Sequence, residues 1–433
     1  MRSVFFPESA LQTLRANLAK DSRLQQQAQA CYAAAGEWTQ RSDDELWSAM
    51  FGATIKRSWM VWSNGHCPAC TRDVPMYDWK MDPLRTPWKV TCPHCAEQFP
   101  KNDFGAFYQS GLDGHAVFDP ALADRALLFN AEHPWPDDPK HQFGVDDGTG
   151  YFDGKNRWYF IGAFITKGQW KLYILAGIRT LALAYALSGE RIYARKAAIL
   201  LDRVADLYPS FDFLTQGLTY EIANTIAGMG LVSVWHDACR ETRDLALAFD
   251  LIAPALDGDA DLVAFLADKA RRYDLPNPKD SAAAIRANLE AGLLRHVLAE
   301  PHKILSNFPN TEITQLVAQA ILGWPENRAQ LLADLQGVLE KVTAVDGLSG
   351  EKGLGGYAVI APQLIAGVLV LFGRLDAELL PDLLRRVPAL AAMYRFHADT
   401  WVGGAVLPRI GDTSGFGQRD DRYRGANFVR QFY

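Results

Sequence analysis

GQWKLYILAGIRTLALAYALS, residues 168–188, followed one glycine later by ERIYARKAAILLDRVADL, residues 190–207, decides the fold class. In both runs apolar side chains return three and four positions apart, which is the spacing of one helix face. The link between them is too short for anything but a tight turn, so the two helices are antiparallel neighbours. The pattern continues downstream. Helices are expected over 217–235, 240–254, 259–271, 281–299, 311–322, 326–344, 358–373 and 376–396, many joined by short turns containing Gly, Pro or Asp. So many amphipathic helices in series predict a mainly α protein, an α/α array of antiparallel hairpins that is either a solenoid or one closed into a toroid. No strict period runs through them, which argues against the ordinary helical repeat families.

Upstream the character changes twice. Residues 1–60 carry ESALQTLRANLA and RLQQQAQACYAAAGEW, again at helical spacing. Residues 61–105 hold four cysteines, several prolines and short aromatic runs, as in a small insertion. The stretch HPWPDDPKHQFGVDDGTGYFDGKNRW, within 133–160, has too many Gly, Pro and Asp for a helix, and long loops inside compact domains are often functional. From Trp401 the helical period is lost. The expected domains are therefore N-terminal helices at 1–60, a cysteine-containing insertion at 61–105, a helical domain at 106–400 and an irregular C-terminal segment at 401–433.

The 433 residues are 49% hydrophobic, ample for a sizeable core. A net charge of −6 argues against a general nucleic-acid binder, although a local basic cleft can still serve an anionic substrate. No run of about eighteen uncharged apolar residues predicts a membrane span. The opening MRSVFFPESALQ does not read as a secretory signal, so a cytoplasmic or periplasmic location is expected.

Of six cysteines, Cys31 and Cys239 stand alone in helical, apolar surroundings and are expected to be buried, inert thiols. The other four form Cys67-Pro-Ala-Cys70, 21 intervening residues, and Cys92-Pro-His-Cys95. Each Cys-x-x-Cys presents two sulfurs from one tight knuckle, and two knuckles complete the tetrahedral thiolate shell that zinc prefers. A shell with no open position is structural rather than catalytic. A structural zinc on Cys67, Cys70, Cys92 and Cys95 is expected, with His66 and His94 as ordinary loop residues beside it.

Phosphate loops, dinucleotide-binding glycine fingerprints and nucleophile elbows are absent. Two other stretches are unusual. DGLSGEKGLGGY places Tyr357 after a glycine-rich turn just ahead of an apolar helix, where it either packs its ring or holds its hydroxyl rigidly toward a cleft. SNFPNTEITQL places Asn310 after a proline at a helix start, where it or Thr311 caps the helix or Asn310 hydrogen-bonds a substrate carboxylate. His302 lies eight residues upstream of Asn310, and His397 lies near Trp401 and Arg409.

These pieces, in this order, resemble the heparinase II/III-like superfamily of polysaccharide lyases. The resemblance runs through CPAC…TCPHCAEQFPKNDF, DDGTGYFDG, LALAYALSGERIYARKAAILL, LALAFDLI, the Asn310 helix, the DG…GY segment and LPRIGDTSGFG. It implies an incomplete α/α toroid, and a C-terminal β-sandwich for which this chain leaves little room after residue 400. It also implies β-elimination on uronic-acid polysaccharides of alginate or glycosaminoglycan type. That chemistry needs the C5 carboxylate neutralised, the C5 proton removed and the O4 leaving oxygen protonated. By the resemblance Asn310 stabilises the carboxylate, and Tyr357, 47 positions later, protonates O4 and is also a candidate for the base. Many members carry His beside the Asn where this chain has Thr311, so His302, His397 or Tyr357 itself must supply the base. Arg409, Trp401 and Trp158 are expected to bind substrate, the tryptophans by stacking on sugar rings unless they are core residues.

Two rival readings remain open at this point. One is a non-catalytic carbohydrate-binding protein on a lyase-like toroid. The other is an α/α-toroid glycoside hydrolase, which needs a pair of carboxylates from such residues as Asp146, Asp147, Glu312 and Glu351.

Overall fold

A computed structural model describes residues 2–61, 64–218, 229–343, 347, 353, 358, 360–400 and 408–411, with the side chains of His236 and His397 left aside. The protein is mainly helical. It divides into two compact units, the first comprising Met1–Ser3 with Pro7–Leu305 and the second Val4–Phe6 with Ser306–Tyr433. The stretch 106–400 is thus shared between two units.

The first unit opens with α1 (Glu8–Leu18), α2 (Ser22–Thr39) and α3 (Asp43–Trp47). Local chemistry sets their starts. The Asp21 carboxylate accepts the N–H groups of Arg23 and Leu24, and Ser42 and Glu45 form a reciprocal capping box. After a short helix α4 (Phe104–Ser110), one continuous helix α5 runs from Phe160 to Ser188. It starts eight residues earlier than its sequence period indicates, because residues 164–175 wind as a π-helix and do not keep the 3.6 period. Gly168 lies in this stretch, where a Cβ would sit 2.9 Å from the Phe164 ring. Gly189 then ends α5 at φ 78°, and α6 (Arg191–Leu207) returns along it.

By length and composition α5 resembles a membrane span, yet 56% of its apolar window is buried by the protein itself. Helices α1, α2, α6 and α7 (Trp235–Leu256) pack around it. Lys171 and Arg179 on α5 pair with Asp237 and Asp244 on α7. These are the features of a core helix with one polar edge.

Helix α6 is the hub of this unit. It packs against α3, α7, α8 (Ala260–Arg272) and the helix α9 at 282–299. Asp259 caps α8 and also takes Arg195 of α6 through both carboxylate oxygens, at 3.1 and 2.6 Å. Gly292 of α9 lies against the Ala205 backbone, where any Cβ would collide with the carbonyl. Lys279 is fully buried between Asp202 and Asp206 of α6, and Asn288 of α9 donates to both carboxylates at 2.9 Å. Burial raises Asp202 to about 6, and Lys279 is the charge that opposes this. Removing one partner of a buried ion cluster leaves uncompensated charge. Lys279→Met is therefore expected to destabilise the first unit by about 3–5 kcal/mol. A urea midpoint equal to the parent's would refute that.

Two expected helices differ from what the structure shows. Residues 217–218 and 229–234, at the ends of the expected 217–235 helix, are not helical, and 219–228 lie outside the described residues. Gly217 bridges to Arg57, and Gly230, at φ 148°, turns the chain in a way that a Cβ against Ser233 would forbid. The expected 376–396 helix is two helices in the second unit, α13 (Leu379–Arg386) and α14 (Ala389–Asp399). Pro388 breaks the run between them, since it lacks the N–H that a continuing helix needs.

The rest of the second unit is α10 (Asn310–Gly323), α11 (Arg328–Val342) and α12 (Ile360–Phe372). Helix α10 packs on α11, α11 on α13, and α13 on α14. Phe5, from the N-terminal residues of this unit, meets Phe372 edge to face at 5.4 Å.

Candidate functional site

The four-cysteine module is built from two copies of one turn. In the first, the Cys67 N–H donates to the Arg72 carbonyl and the Thr71 N–H returns to Cys67, with Thr71 at φ 58°. In the second, Cys92 N–H donates to Glu97 and Ala96 N–H returns to Cys92, with Ala96 at φ 61°. The second turn joins β1 (Val90–Thr91) to its antiparallel partner β2 (Gln98–Phe99). Each turn aims two sulfurs inward, and the four Sγ atoms lie within 4.8 Å of one another.

Cys67 and Cys95 sulfurs are 3.9 Å apart, as are those of Cys70 and Cys92. A disulfide would bring them to about 2.05 Å. A tetrahedral metal with metal–sulfur bonds of about 2.3 Å separates its sulfurs by about 3.8 Å. The four cysteines thus form a cluster whose dimensions are consistent with a closed tetrahedral metal site. His66 stays outside that shell, and His94 uses its ring Nε2 on the Asp73 carbonyl at 2.8 Å.

This module shares its core with the start of α5. Cys67 and Cys92 pack with Trp79, Val90, Phe99, Trp158, Phe160 and Phe164 in one cluster. Trp158 is 2% exposed, stacks on Tyr151 and donates its indole N–H to the His66 carbonyl at 2.7 Å. It is the core tryptophan of the two readings open to it. With so little surface left, it has no face to offer a sugar ring.

The irregular 133–160 loop is exposed along much of its length, with Trp135 70% and Phe152 52% exposed, around a buried turn at Asp146. Asp146 is buried and accepts the N–H groups of Gly148, Gly150 and Ile161. Burial raises its carboxyl to about 6 against the pull of those three donors. Asp147 accepts Thr149 and faces Arg125 at 3.5 Å. Asp146 therefore organises the turn ahead of β3 (Tyr151–Phe152) and β4 (Arg157–Trp158). That occupation leaves it no part in a hydrolytic carboxylate pair, and Glu351 lies outside the described residues.

Asn310 opens α10, but as the first helical residue, since the cap position belongs to Pro309. Its N–H donates to the Asn307 carbonyl at 2.9 Å, and its carboxamide makes no hydrogen bond among the described residues. Thr311 instead serves the helix start, accepting the Ser306 N–H at 2.9 Å. The cap reading of Asn310 is thereby corrected. His302 is exposed on a short 3₁₀ turn, Pro301–Ile304, in the first unit. Arg409 is half-buried in the second unit. His397 lies on α14, where only its backbone is described, and Tyr357 and Trp401 lie outside the described residues. Of the two lone cysteines, Cys239 is buried as expected, whereas Cys31 is only half-buried, its Sγ 3.8 Å from the Thr180 carbonyl.

Sequence reasoning overlooked two features. A cavity of about 720 Å³ lies between α6 and α9; of its polar wall residues, Asp206 is paired with Lys279 and Asn288 donates to Asp206, while Arg203, Arg295 and His296 also line it. None of the described residues expected to act lies on its wall. The second feature is a lysine and aromatic cluster where the four-cysteine module meets α5, treated below. The signal for it was in the sequence as lysines at 167 and 171, one turn apart in an otherwise apolar helix.

Compared with known proteins, the chain matches no family model, no curated protein and no solved structure.

Proposed function

We propose that this protein is a polysaccharide lyase that cleaves uronic-acid-containing chains by β-elimination, with a structural zinc in its four-cysteine module. The observation that carries the reading is Asn310. It stands at the positive end of a fourteen-residue helix, preceded by a proline that takes the cap position, with its carboxamide unspent on local hydrogen bonds. That is what a group needs in order to hold a C5 carboxylate and the enediolate that follows proton loss. The motif order and the series of antiparallel hairpins support the same reading, and extend it to an incomplete α/α toroid.

In this scheme Asn310 neutralises the carboxylate and Tyr357 delivers a proton to O4. The C5 proton leaves to a base, for which Tyr357, His302 and His397 are the candidates. The electron pair of the C5–H bond becomes the C4–C5 double bond as the C4–O4 bond breaks. Zinc takes no part in these steps, because four thiolates leave it no open position.

The test is ultraviolet absorbance of the unsaturated uronyl product during incubation with uronic polysaccharides. A hydrolase or a binding protein makes no such chromophore. Asn310→Ala is expected to lower turnover about 100- to 1,000-fold, as for loss of one donor to a developing oxyanion. It should leave the melting temperature nearly unchanged, because the residue is not the cap. No absorbance from alginate, heparin, chondroitin or any other uronic polymer would end the proposal.

A further inference from the structure

Lys167 and Lys171 lie one turn apart on the π-helical part of α5, and both face aromatic rings. Lys171 Nζ sits 5.3 Å from the Trp59 ring centre and is paired with Asp237, with Glu241 a further 3.8 Å contact. Lys167 is different. Its Nζ lies 4.6 Å from the Tyr77 ring centre, with the Met76 carbonyl 3.4 Å away. No carboxylate among the described residues comes within ion-pair distance of it. Burial, with Lys171 beside it, lowers the Lys167 ammonium to about 8 against the opposing pull of Asp237. A partly desolvated cation with no ion-pair partner among the described residues, and only Asp237 acting on it from farther off, is costly, and proteins retain one chiefly where something anionic binds.

The surroundings specify the anion. Tyr77 is 64% exposed and its ring meets Trp59 edge to face at 6.3 Å. An exposed, braced ring beside an ammonium suits a molecule with an apolar face and a negative group on the same frame. A pyranose carboxylate is such a molecule. Its C–H face rests on an aromatic ring and its carboxylate takes a charge-assisted hydrogen bond from an ammonium. Arg240, 65% exposed and 3.1 Å from Asp237, adds a third cation to the cluster. Among the described residues, Lys167, Lys171 and Arg240 bring three cations around Asp237 and Glu241.

We propose that Lys167 and Tyr77 form a binding subsite for one uronate residue of the polymer. The substrate class comes from the lyase reading, and the residues come from this cluster. Tyr77 lies on the loop between the two cysteine knuckles, so the metal module also acts as the frame that presents the sugar-binding ring.

The test is calorimetric titration of the full chain carrying Tyr357→Phe, with tetrasaccharides containing mannuronate, guluronate, glucuronate or iduronate, and with neutral cellotetraose. At least one uronate is expected to bind. Adding Lys167→Met or Tyr77→Ala is expected to weaken that binding tenfold or more, as for a lost hydrogen bond to a charged group. Lys167→Arg should retain most of it, and cellotetraose should not compete. Equal affinity in Lys167→Met and Tyr77→Ala proteins of unchanged melting temperature overturns the subsite. So does a parent chain that binds none of the four uronates. Product absorbance from the wild-type chain judges the lyase reading separately. Product formed with a KM indifferent to Lys167 removes the subsite alone, and Lys167-dependent binding without product removes the lyase alone.

Discussion

Replacing Cys67 and Cys92 together by serine will release the metal and unfold the module between residues 61 and 105, with a large fall in melting temperature. The argument starts from what the module has besides its metal. Its regular structure is one two-residue hairpin and a few single bridges, far too little to bury a core alone. In small domains of this type the free energy of metal binding is folding free energy, of the order of 10 kcal/mol or more. Together the two substitutions take one sulfur from each knuckle, so neither knuckle retains its pair.

The damage will not stop at the module. Cys67 and Cys92 lie in the same cluster as Phe160 and Phe164, at the first turns of α5. Phe160 stacks on Phe99 at 4.5 Å, directly across from the hairpin. Unfolding the module exposes that end of α5, and with it Trp79 and Trp158, whose emission will shift to the red. Metal analysis of carefully reduced protein should find about one zinc per chain, since the four thiolates complete one tetrahedral shell. Reduced protein without metal, or a double variant that melts like the parent, would defeat the assignment.

How far the sequence reads through to the structure depends on the kind of signal. The knuckles were legible because a Cys-x-x-Cys pair is local, and its chemistry does not depend on distant packing. The hairpin of α5 and α6 was legible for a similar reason, since its apolar spacing and Gly189 lie within 40 residues. The start of α5 was not, because π-helical winding erases the period on which the reading relies. The expected 217–235 helix misled because its apolar residues suit a helix, while Gly230 demands a backbone that only glycine adopts freely. Trp158 shows a third limit. Its burial is decided by the metal module packing on α5, a contact that no local window contains. The Lys167 cluster failed to register for the same reason, since Tyr77, Trp59 and Asp237 reach it from three separate segments.

Tyr357→Phe is expected to lower turnover by about 100- to 10,000-fold, the usual cost of a lost acid–base group. The substitution keeps the ring, and so keeps whatever packing the tyrosine provides. It removes one oxygen and one proton. On the elimination path that proton is needed at O4, because an alkoxide is a poor leaving group, and the same oxygen is a candidate to take the proton from C5. A group that serves both steps costs more when lost than one that serves either, so the upper half of the range indicates a dual role. The pH profile separates the cases. If Tyr357 is only the acid, the variant retains the rising limb of a separate base. If it is both, that limb is missing in parent and variant alike. On the proposed mechanism Asn310→Ala removes a donor to the developing carboxylate charge, so the two losses should fall on one reacting sugar and not add as independent sites do. A double variant about as slow as the worse single one supports a shared junction. Full activity in Tyr357→Phe on a verified substrate sinks the role of its hydroxyl, and strict additivity in the double variant sinks the shared junction.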